Sequence, residues 1–228
     1  MFFKSYYNPG PGIDKNDPPK KGLSLYTELI MVDFWGFISL NMLYVICCLP
    51  VLTIGGATIA YTELCCKLLR REHVFVFSDF FGSFRNNFKK GILLSLVLLL
   101  ILFDLLIIYT NTIAYMDTKL SAGIAVFWAI AGILSILLTS LIAYLVPIIA
   151  NLELDFLFQL KNAFILTIIG GWRTLAVSAF NMISFILFFS LFPFSGIVFF
   201  IMGFYLLIFT NCFFTWPLIE KHVVLPPE

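Results

Sequence analysis

Apolar residues follow one another almost without interruption in four stretches of the chain, residues 91–115, 122–150, 174–193 and 196–217. Each stretch reaches the roughly 20 residues that an α-helix needs to cross a hydrocarbon core of about 30 Å at about 1.5 Å per residue. The pattern therefore predicts four transmembrane helices.

An earlier apolar run, residues 32–49, ends at Pro50, and a less apolar stretch, residues 51–69, follows it. Because the second stretch contains glycines, threonines and Glu63, we interpret it as a span that is covered by protein and returns the chain across the membrane. The alternative is a re-entrant or surface helix, which would leave five crossings.

The start of this returning stretch is itself a candidate site. Proline ends the first span, and Gly55 and Gly56 allow the next helix to begin or break close to a neighbouring helix. Pro50 and the two glycines are consistent with an ordinary tight hairpin. The alternative is a binding site between helices, such as broken helices form in transporters.

Composition agrees with a membrane protein. The chain has 228 residues, of which 61% are hydrophobic and 12% charged, whereas soluble domains are about half apolar and a quarter charged. The excess apolar surface must face the lipid bilayer. The net charge of +1 gives no basic field that would attract nucleic acid. We predict an all-α polytopic membrane protein with six transmembrane helices in three hairpins.

The basic residues predict the orientation of these spans, because loops on the cytoplasmic side carry an excess of Lys and Arg. With six spans, Lys119 alone lies on the outer side, and the other thirteen of the fourteen basic residues lie inside. Both termini are then cytoplasmic. We predict a polar N-terminal segment over residues 1–27, a transmembrane domain over 28–220 and a short tail over 221–228.

Two short segments on the predicted cytoplasmic side have similar sequences and lie 76 residues apart. "DFFGSFRNNF" begins at Asp79 and "DFLFQLKNAF" begins at Asp155, with four identities over ten positions. Such agreement favours an internal repeat, although chance is an alternative in a chain with 27 Phe. We predict amphipathic helices that lie in the membrane interface over residues 78–90 and 154–165.

Helical spacing places the aromatic residues of each predicted helix on one stripe and its basic residue elsewhere. The expected roles are anchoring in the headgroup region and docking of a partner. The candidate docking residues are Phe80, Phe84, Arg85, Phe156 and Lys161.

Asp104 is the most unusual single residue, because it lies near the middle of a predicted span. A charged aspartate there costs roughly 2.5–3.5 kcal/mol on insertion scales. One hypothesis is structural, with a hydrogen bond to Ser135, Thr139, Asn181 or Asn211. The others are a proton or substrate path and a misplaced helix boundary.

Catalytic motifs are missing from the sequence, including nucleophile elbows, phosphate-binding loops and zinc-binding helix motifs. The five cysteines show no CxxC spacing, so we expect neither a metal nor another cofactor. We predict that the protein is not an enzyme and that it carries no ATP site of its own.

The segment "NMLYVICCLPVLTIGGATIAYTELCCKLLRRE", residues 41–72, and the following "DFFGSFRNNFKK" resemble the YesL-like family of small bacterial membrane proteins. The residues that carry the resemblance include Asn41, Pro50 and Gly55, while Gly56 stands where the family often has proline. The resemblance implies a multi-pass protein of the bacterial cytoplasmic membrane that is associated with carbohydrate ABC importers. It implies no catalytic residues.

Three functions remain in view. The first is an accessory subunit that contacts the permease subunits of a sugar ABC importer and acts in its assembly, stability or regulation. The second is a small stand-alone transporter or channel, with Asp104 and the glycine break in its path and a homo-oligomer as an open possibility. The third is a membrane-embedded scaffold for a cytoplasmic regulator.

Overall fold

The structure, a computed structural model, describes residues 22–32, 34–114 and 122–224. This part of the chain is helical and contains no β-strand. The α-helices in chain order are α1 Leu23–Val32, α2 Phe34–Cys48, α3 Ile54–Leu69, α4 Val76–Asn86, α5 Phe88–Ala114, α6 Ala122–Asn151, α7 Phe156–Ile169, α8 Trp172–Ser190, α9 Phe194–Val198 and α10 Phe204–Ile219.

The chain divides into a short unit, residues 1–32, and a large unit, residues 33–228. The described part of the short unit is α1, whose first backbone N–H groups, on Leu25 and Tyr26, bind the carbonyl oxygen of Gly22. Residues 1–21 of the predicted N-terminal segment lie outside the described residues, as do Lys119 and residues 225–228 of the predicted tail.

Among the described residues, five helices are long and apolar enough to cross a membrane: Val51–Leu69, Phe88–Thr112, Val126–Asn151, Trp172–Ser190 and Phe194–Val224. A sixth crossing exists if α1 and α2 are counted as one span, because α2 alone has only 15 residues. The protein is therefore an all-α, multi-pass membrane protein. The number of crossings therefore depends on the first span, formed by α1 and α2. It does not depend on the second span, Val51–Leu69, for which a re-entrant or surface helix was the alternative.

The span Val51–Leu69 is the least apolar of the five and is 56% buried, whereas Phe88–Thr112 is 22% buried. A polar, glycine-containing helix reaches membrane depth because neighbouring helices cover it. It packs against α2, α4, α5, α6 and α10. This helix, α3, is the centre of the large unit.

Most helix boundaries differ from the predicted ones by a few residues. The predicted helix over 78–90 is wrong at its end, because Asn87 interrupts the helix and Phe88 already belongs to α5. The predicted helix over 154–165 begins at Phe156 and continues to Ile169, where Gly170 and Gly171 end it.

The last span changes its helical geometry after α9. Residues Phe199–Gly203 form a π-helical turn, and α10 continues from it. The buried amide of Asn41 on α2 serves this turn: its Nδ2 donates to the carbonyl oxygens of Phe199 and Phe200, at 3.2 and 2.6 Å, and its Oδ1 accepts from the N–H of Tyr205 at 3.0 Å. Since no water reaches membrane depth, such a side chain replaces the backbone hydrogen bonds that the turn loses.

Arg70, just after α3, ties together the ends of three helices. Its Nη1 donates to Asn151 Oδ1 on α6 at 3.0 Å, and its guanidinium lies 5.0 Å from the ring centroid of Trp216 on α10. Its Nε also donates to Glu72 Oε1 at 2.6 Å. The ends of α3, α6 and α10 therefore lie on the same side of the molecule, together with α4 and α7.

Candidate functional site

Two equivalent arrangements follow one another in the chain. Helix α4 packs against α3, the helix before it, and α7 packs against α6 in the same way. One buried position matches at a spacing of 76 residues, because Ser83 on α4 and Gln159 on α7 are both buried. Each copy of the repeated sequence thus packs on the helix before it, although Phe80 is buried and its counterpart Phe156 is not.

The predicted aromatic stripe of α4 points into the protein. Phe80 is fully buried, and the ring of Phe84 lies against Gly56 on α3. An ion pair between Asp79 and Lys67, 3.7 Å apart, fixes the same side of α4 to α3. Phe80 is therefore not available to a partner, and its prediction as a docking residue is wrong. The physical reason is that in a membrane protein an apolar stripe can face the core as well as the lipid.

The orientation of α7 also differs from the prediction. The polar residue Gln159 is buried, and its Nε2 donates to the carbonyl oxygen of Leu152 at 2.9 Å. Phe156 is half-buried, while Leu157 and Phe158 are 77% and 61% exposed. The outer surface of α7 is therefore mostly apolar around the exposed Lys161.

Each helix presents a basic residue at the centre of its exposed surface. Exposed residues at matching positions include Phe81, Arg85 and Phe88 in α4 and the start of α5, and Leu157, Lys161 and Phe164 in α7, each 76 positions later. We call these two matching sets the repeated face. Each places one cation four residues after an apolar side chain and three residues before a phenylalanine; in α7 this is a continuous helical spacing, whereas Asn87 interrupts the helix between Arg85 and Phe88.

A cavity of about 510 Å³ lies among α2, α3, α5, α6, α8, α10 and the π-helical turn. Its volume falls within the roughly 300–1,000 Å³ that is typical of ligand sites. Its wall is mostly apolar, and no acidic or basic side chain lines it among the residues that the structure describes. Sequence reasoning did not find this cavity, because no residue pattern distinguishes a helix that lines a space from one that faces lipid.

Phenylalanine rings gather at one end of the cavity. The ring of Phe199 lies 4.9 Å from that of Phe188 and 5.6 Å from that of Phe204, centroid to centroid, and all three line the cavity. Asn181, seven residues before Phe188 on α8, and Asn211, seven residues after Phe204 on α10, also line it. Because α8 and the last span are joined by a three-residue turn and run in opposite directions, both amides lie on the same side of the aromatic rings.

The two asparagine side chains of the cavity wall differ from most buried amides in their hydrogen bonding. Asn181 Oδ1 and Asn211 Oδ1 are buried and have no hydrogen-bond partner within the described part of the chain. Other polar groups of the wall are bonded within the protein: Thr58 Oγ1 donates to Ile54 O, and Thr139 Oγ1 to Ser135 O, both at 2.7 Å. The two asparagines thus differ from these threonines.

Asp104 does not line the cavity. It is half-buried on α5, where Ser135 Oγ on α6 donates to its Oδ2 at 2.5 Å. Of the four polar neighbours expected from the sequence, the structure brings Ser135 to it. The contact matches the structural hypothesis for this residue.

The glycines after Pro50 lie where α3 crosses α5. A Cβ on Gly55 would come within 2.2 Å of the carbonyl oxygen of Gly91 and 2.5 Å of the backbone nitrogen of Ser95. The Ser95 hydroxyl accepts a hydrogen bond from the Gly55 N–H at 2.7 Å. Pro50, Gly55 and Gly56 are not part of the cavity wall. Their geometry is that of a close helix crossing, which follows a 3-10 turn at Val51–Thr53.

Comparison with known proteins gives one family match. Residues 37–112 are similar to the family described as a protein of unknown function, DUF624. The match covers α2 to α5 and so includes the α3–α5 crossing and the first copy of the repeated face. No curated protein and no solved structure matches the chain. The class supported by fold and comparison is a multi-pass helical membrane protein with a domain of uncharacterised function.

Proposed function

We propose that this protein is a non-catalytic membrane subunit that accompanies a carbohydrate ABC importer and contacts its permease subunits through the repeated face. The observation that carries the proposal is the matched exposure of Arg85 and Lys161. Both cations stand outward from helices whose opposite sides are fixed to the transmembrane bundle. A fixed helix offers a pre-organised surface, which lowers the entropic cost of binding.

The chemistry of the repeated face supports a protein contact at the membrane surface. Aromatic residues and arginine are enriched at the centres of protein interfaces, and the repeated face contains three phenylalanines and Arg85. Two copies of the same face allow two contacts with one partner or with a pair of related permease subunits. Two linked contacts bind much more tightly than one.

The class of partner rests on the resemblance of residues 1–90 to the YesL-like family, whose setting is carbohydrate import in the cytoplasmic membrane of bacteria. The basic residues of the α4/α7 side support a cytoplasmic location for this face by the positive-inside rule.

Co-purification tests the proposal. A tagged copy is extracted from its native membranes into lipid nanodiscs, and mass spectrometry quantifies the proteins that accompany it. We expect sugar-importer permease subunits in fixed proportion, and their loss in the double variant Arg85→Glu/Lys161→Glu. Lys221→Glu, an exposed charge reversal outside the repeated face, serves as the matched control. Equal recovery with both variants would refute the role of the face, and absence of permeases from the wild type would refute the proposal.

The second candidate is a stand-alone transporter or channel, and the cavity is the observation that favours it. Its test is flux into liposomes that contain this protein alone. Ala143 lines the cavity and is buried, so Ala143→Phe should reduce any such flux, whereas Asp104→Asn should leave it unchanged. Flux in the absence of any partner would favour this candidate over the accessory subunit.

A further inference from the structure

We propose that the cavity binds a neutral lipid whose head group carries a hydroxyl, and that this hydroxyl is hydrogen-bonded to the side-chain amide of Asn181 or Asn211, which turns towards it on binding. This binding site goes beyond the accessory role and does not depend on it. The inference starts from the contrast between an apolar wall and two amide oxygens without partners in the described structure.

Unpartnered amide oxygens are unfavourable at this depth. A buried acceptor without a donor costs roughly 1–3 kcal/mol, and the usual remedy in a membrane helix is a hydrogen bond to a neighbouring helix. Asn41 shows such an arrangement, because both its amide nitrogen and its amide oxygen are hydrogen-bonded to backbone groups of the last span. The side-chain oxygens of Asn181 and Asn211 have no such donor among the described residues, although both side chains belong to the wall of a space that six helices surround. A ligand that brings donors would satisfy them.

The composition of the cavity wall determines the charge and polarity that the rest of the ligand must have. The described wall carries no charged side chain, so a charged head group would enter without a counter-ion and would lose its hydration. The aromatic rings of Phe188, Phe199 and Phe204 form an apolar end that suits a hydrocarbon chain. A ligand that has a hydrogen-bond donor on one side of these rings and a hydrocarbon chain among them is an uncharged amphiphile.

The wall is also long enough for a chain. On α6 it extends from Thr139 to Pro147 and on α8 from Asn181 to Phe189, eight residues in each case. At about 1.5 Å per residue, each wall measures roughly 12 Å along its helix. The space therefore holds an extended segment of chain and not merely a few water molecules.

Photolabelling tests the site with hexadecanol as the probe. The wild-type protein in phosphatidylcholine nanodiscs is labelled with a diazirine derivative of hexadecanol, and the labelled peptides are mapped. Unlabelled hexadecanol, hexadecane and hexadecanoate compete for the site. We expect the label on cavity-lining segments of α6, α8 and α10. One hydrogen bond of average strength corresponds to a preference of about fivefold to tenfold for the alcohol over the alkane.

Amino-acid substitutions distinguish the contribution of the two amides to binding from that of the cavity volume. Asn181→Leu/Asn211→Leu should keep the labelling and lose the preference for alcohol over alkane, since leucine has a similar size and no acceptor. Asn111→Leu is the matched control, because Asn111 lies outside the wall and bonds to Ile107 O on its own helix. Ala143→Phe should fill the space and abolish the labelling. Gel filtration and thermal unfolding verify that each variant is folded.

The source of the natural ligand is distinguished by extraction. Lipids that co-purify with wild-type protein from native membranes are compared with those that accompany Ala143→Phe. Enrichment of a hydroxyl-bearing membrane lipid with the wild type identifies a bilayer source, whereas enrichment of a free fatty alcohol identifies a soluble one. Labelling outside the cavity, or equal competition by hexadecane and hexadecanol in the wild type, would overturn the proposal. Both outcomes leave co-purification with a permease unaffected, so the two proposals fail separately.

Discussion

The hydroxyl of Ser135 donates a hydrogen bond to the carboxylate of Asp104, with 2.5 Å between Oγ and Oδ2. The two residues join α6 to α5 within the transmembrane part of the molecule. Ser135 is fully buried, and its hydroxyl also lies 2.9 Å from the carbonyl oxygen of Ala131. A carboxylate at this depth depends on such a donor, because lipid offers none.

This pair should show a measurable coupling in stability. A double-mutant cycle of Ser135→Ala and Asp104→Leu, each of which removes the bond, is expected to give about 0.6 kcal/mol, the average for hydrogen bonds between membrane helices. Ser135→Ala should be more destabilising than Asp104→Asn, because the amide oxygen that replaces the carboxylate in Asp104→Asn would still accept the bond. Thermal unfolding in detergent provides the values. A coupling of zero would mean that the contact contributes nothing to stability.

The close crossing of α3 and α5 should not tolerate a larger residue at Gly55. Gly55→Ala places a methyl group against the backbone of Gly91 and Ser95, and we expect a loss of about 1–3 kcal/mol, as is usual for overpacking. Gly132→Ala is the control, because no atom lies within 4 Å of the added methyl group. That change should be neutral or stabilising by up to about 1 kcal/mol. Equal stability of the two variants in chemical unfolding would contradict the crossing.

Asn41 should be the most sensitive asparagine of the chain's described part. Asn41→Leu leaves three backbone groups of the last span without partners, and we expect a loss of at least about 2 kcal/mol. Asn211→Leu, in contrast, removes an acceptor that has no partner among the described residues and should maintain or raise the stability of the ligand-free protein. The same unfolding assay compares them. A loss at Asn211 as large as that at Asn41 would show that Asn211 has a protein partner.

Replacement of Arg70 by lysine should retain only part of its contribution to stability. Lysine keeps the charge but loses the planar group that lies over Trp216 and reaches Asn151 at the same time. We expect Arg70→Lys to cost about 1 kcal/mol, the value of a cation–π contact or a single hydrogen bond. Lys89→Arg, an exchange at an exposed basic residue, is the control and should change little. Identical unfolding of both variants would show that the joined helix ends do not contribute to stability.

Hydropathy was sufficient to predict the helical membrane class and the four long spans, because the length and continuity of an apolar run are properties of the sequence alone. The protein-covered character of Val51–Leu69 was also predictable from its glycines and threonines. The side of each helix that faces the protein was not predictable. Phe80 is buried while Phe158 is exposed, although both are phenylalanines in matching segments, because lipid and protein core are equally apolar environments.

The contacts of the polar residues were only partly predictable. Asp104 was expected to find one of four partners, and depth alone could not choose Ser135 among them. Asn41 carried no sign of its three backbone contacts, since the π-helical turn that requires them depends on how α2 meets the last span. The cavity depends on seven elements at once, and no local pattern reports such an arrangement.

The measurement that tests the docking account most directly is photo-crosslinking in native membranes from position 161. A photoreactive phenylalanine analogue replaces Lys161 at the centre of the repeated face, and the same analogue at Phe103, an exposed residue of α5, serves as the control. The account predicts adducts with a permease subunit of a sugar importer from position 161 and none from position 103. Adducts with lipid alone from both positions, in cells that express the importer, would contradict it.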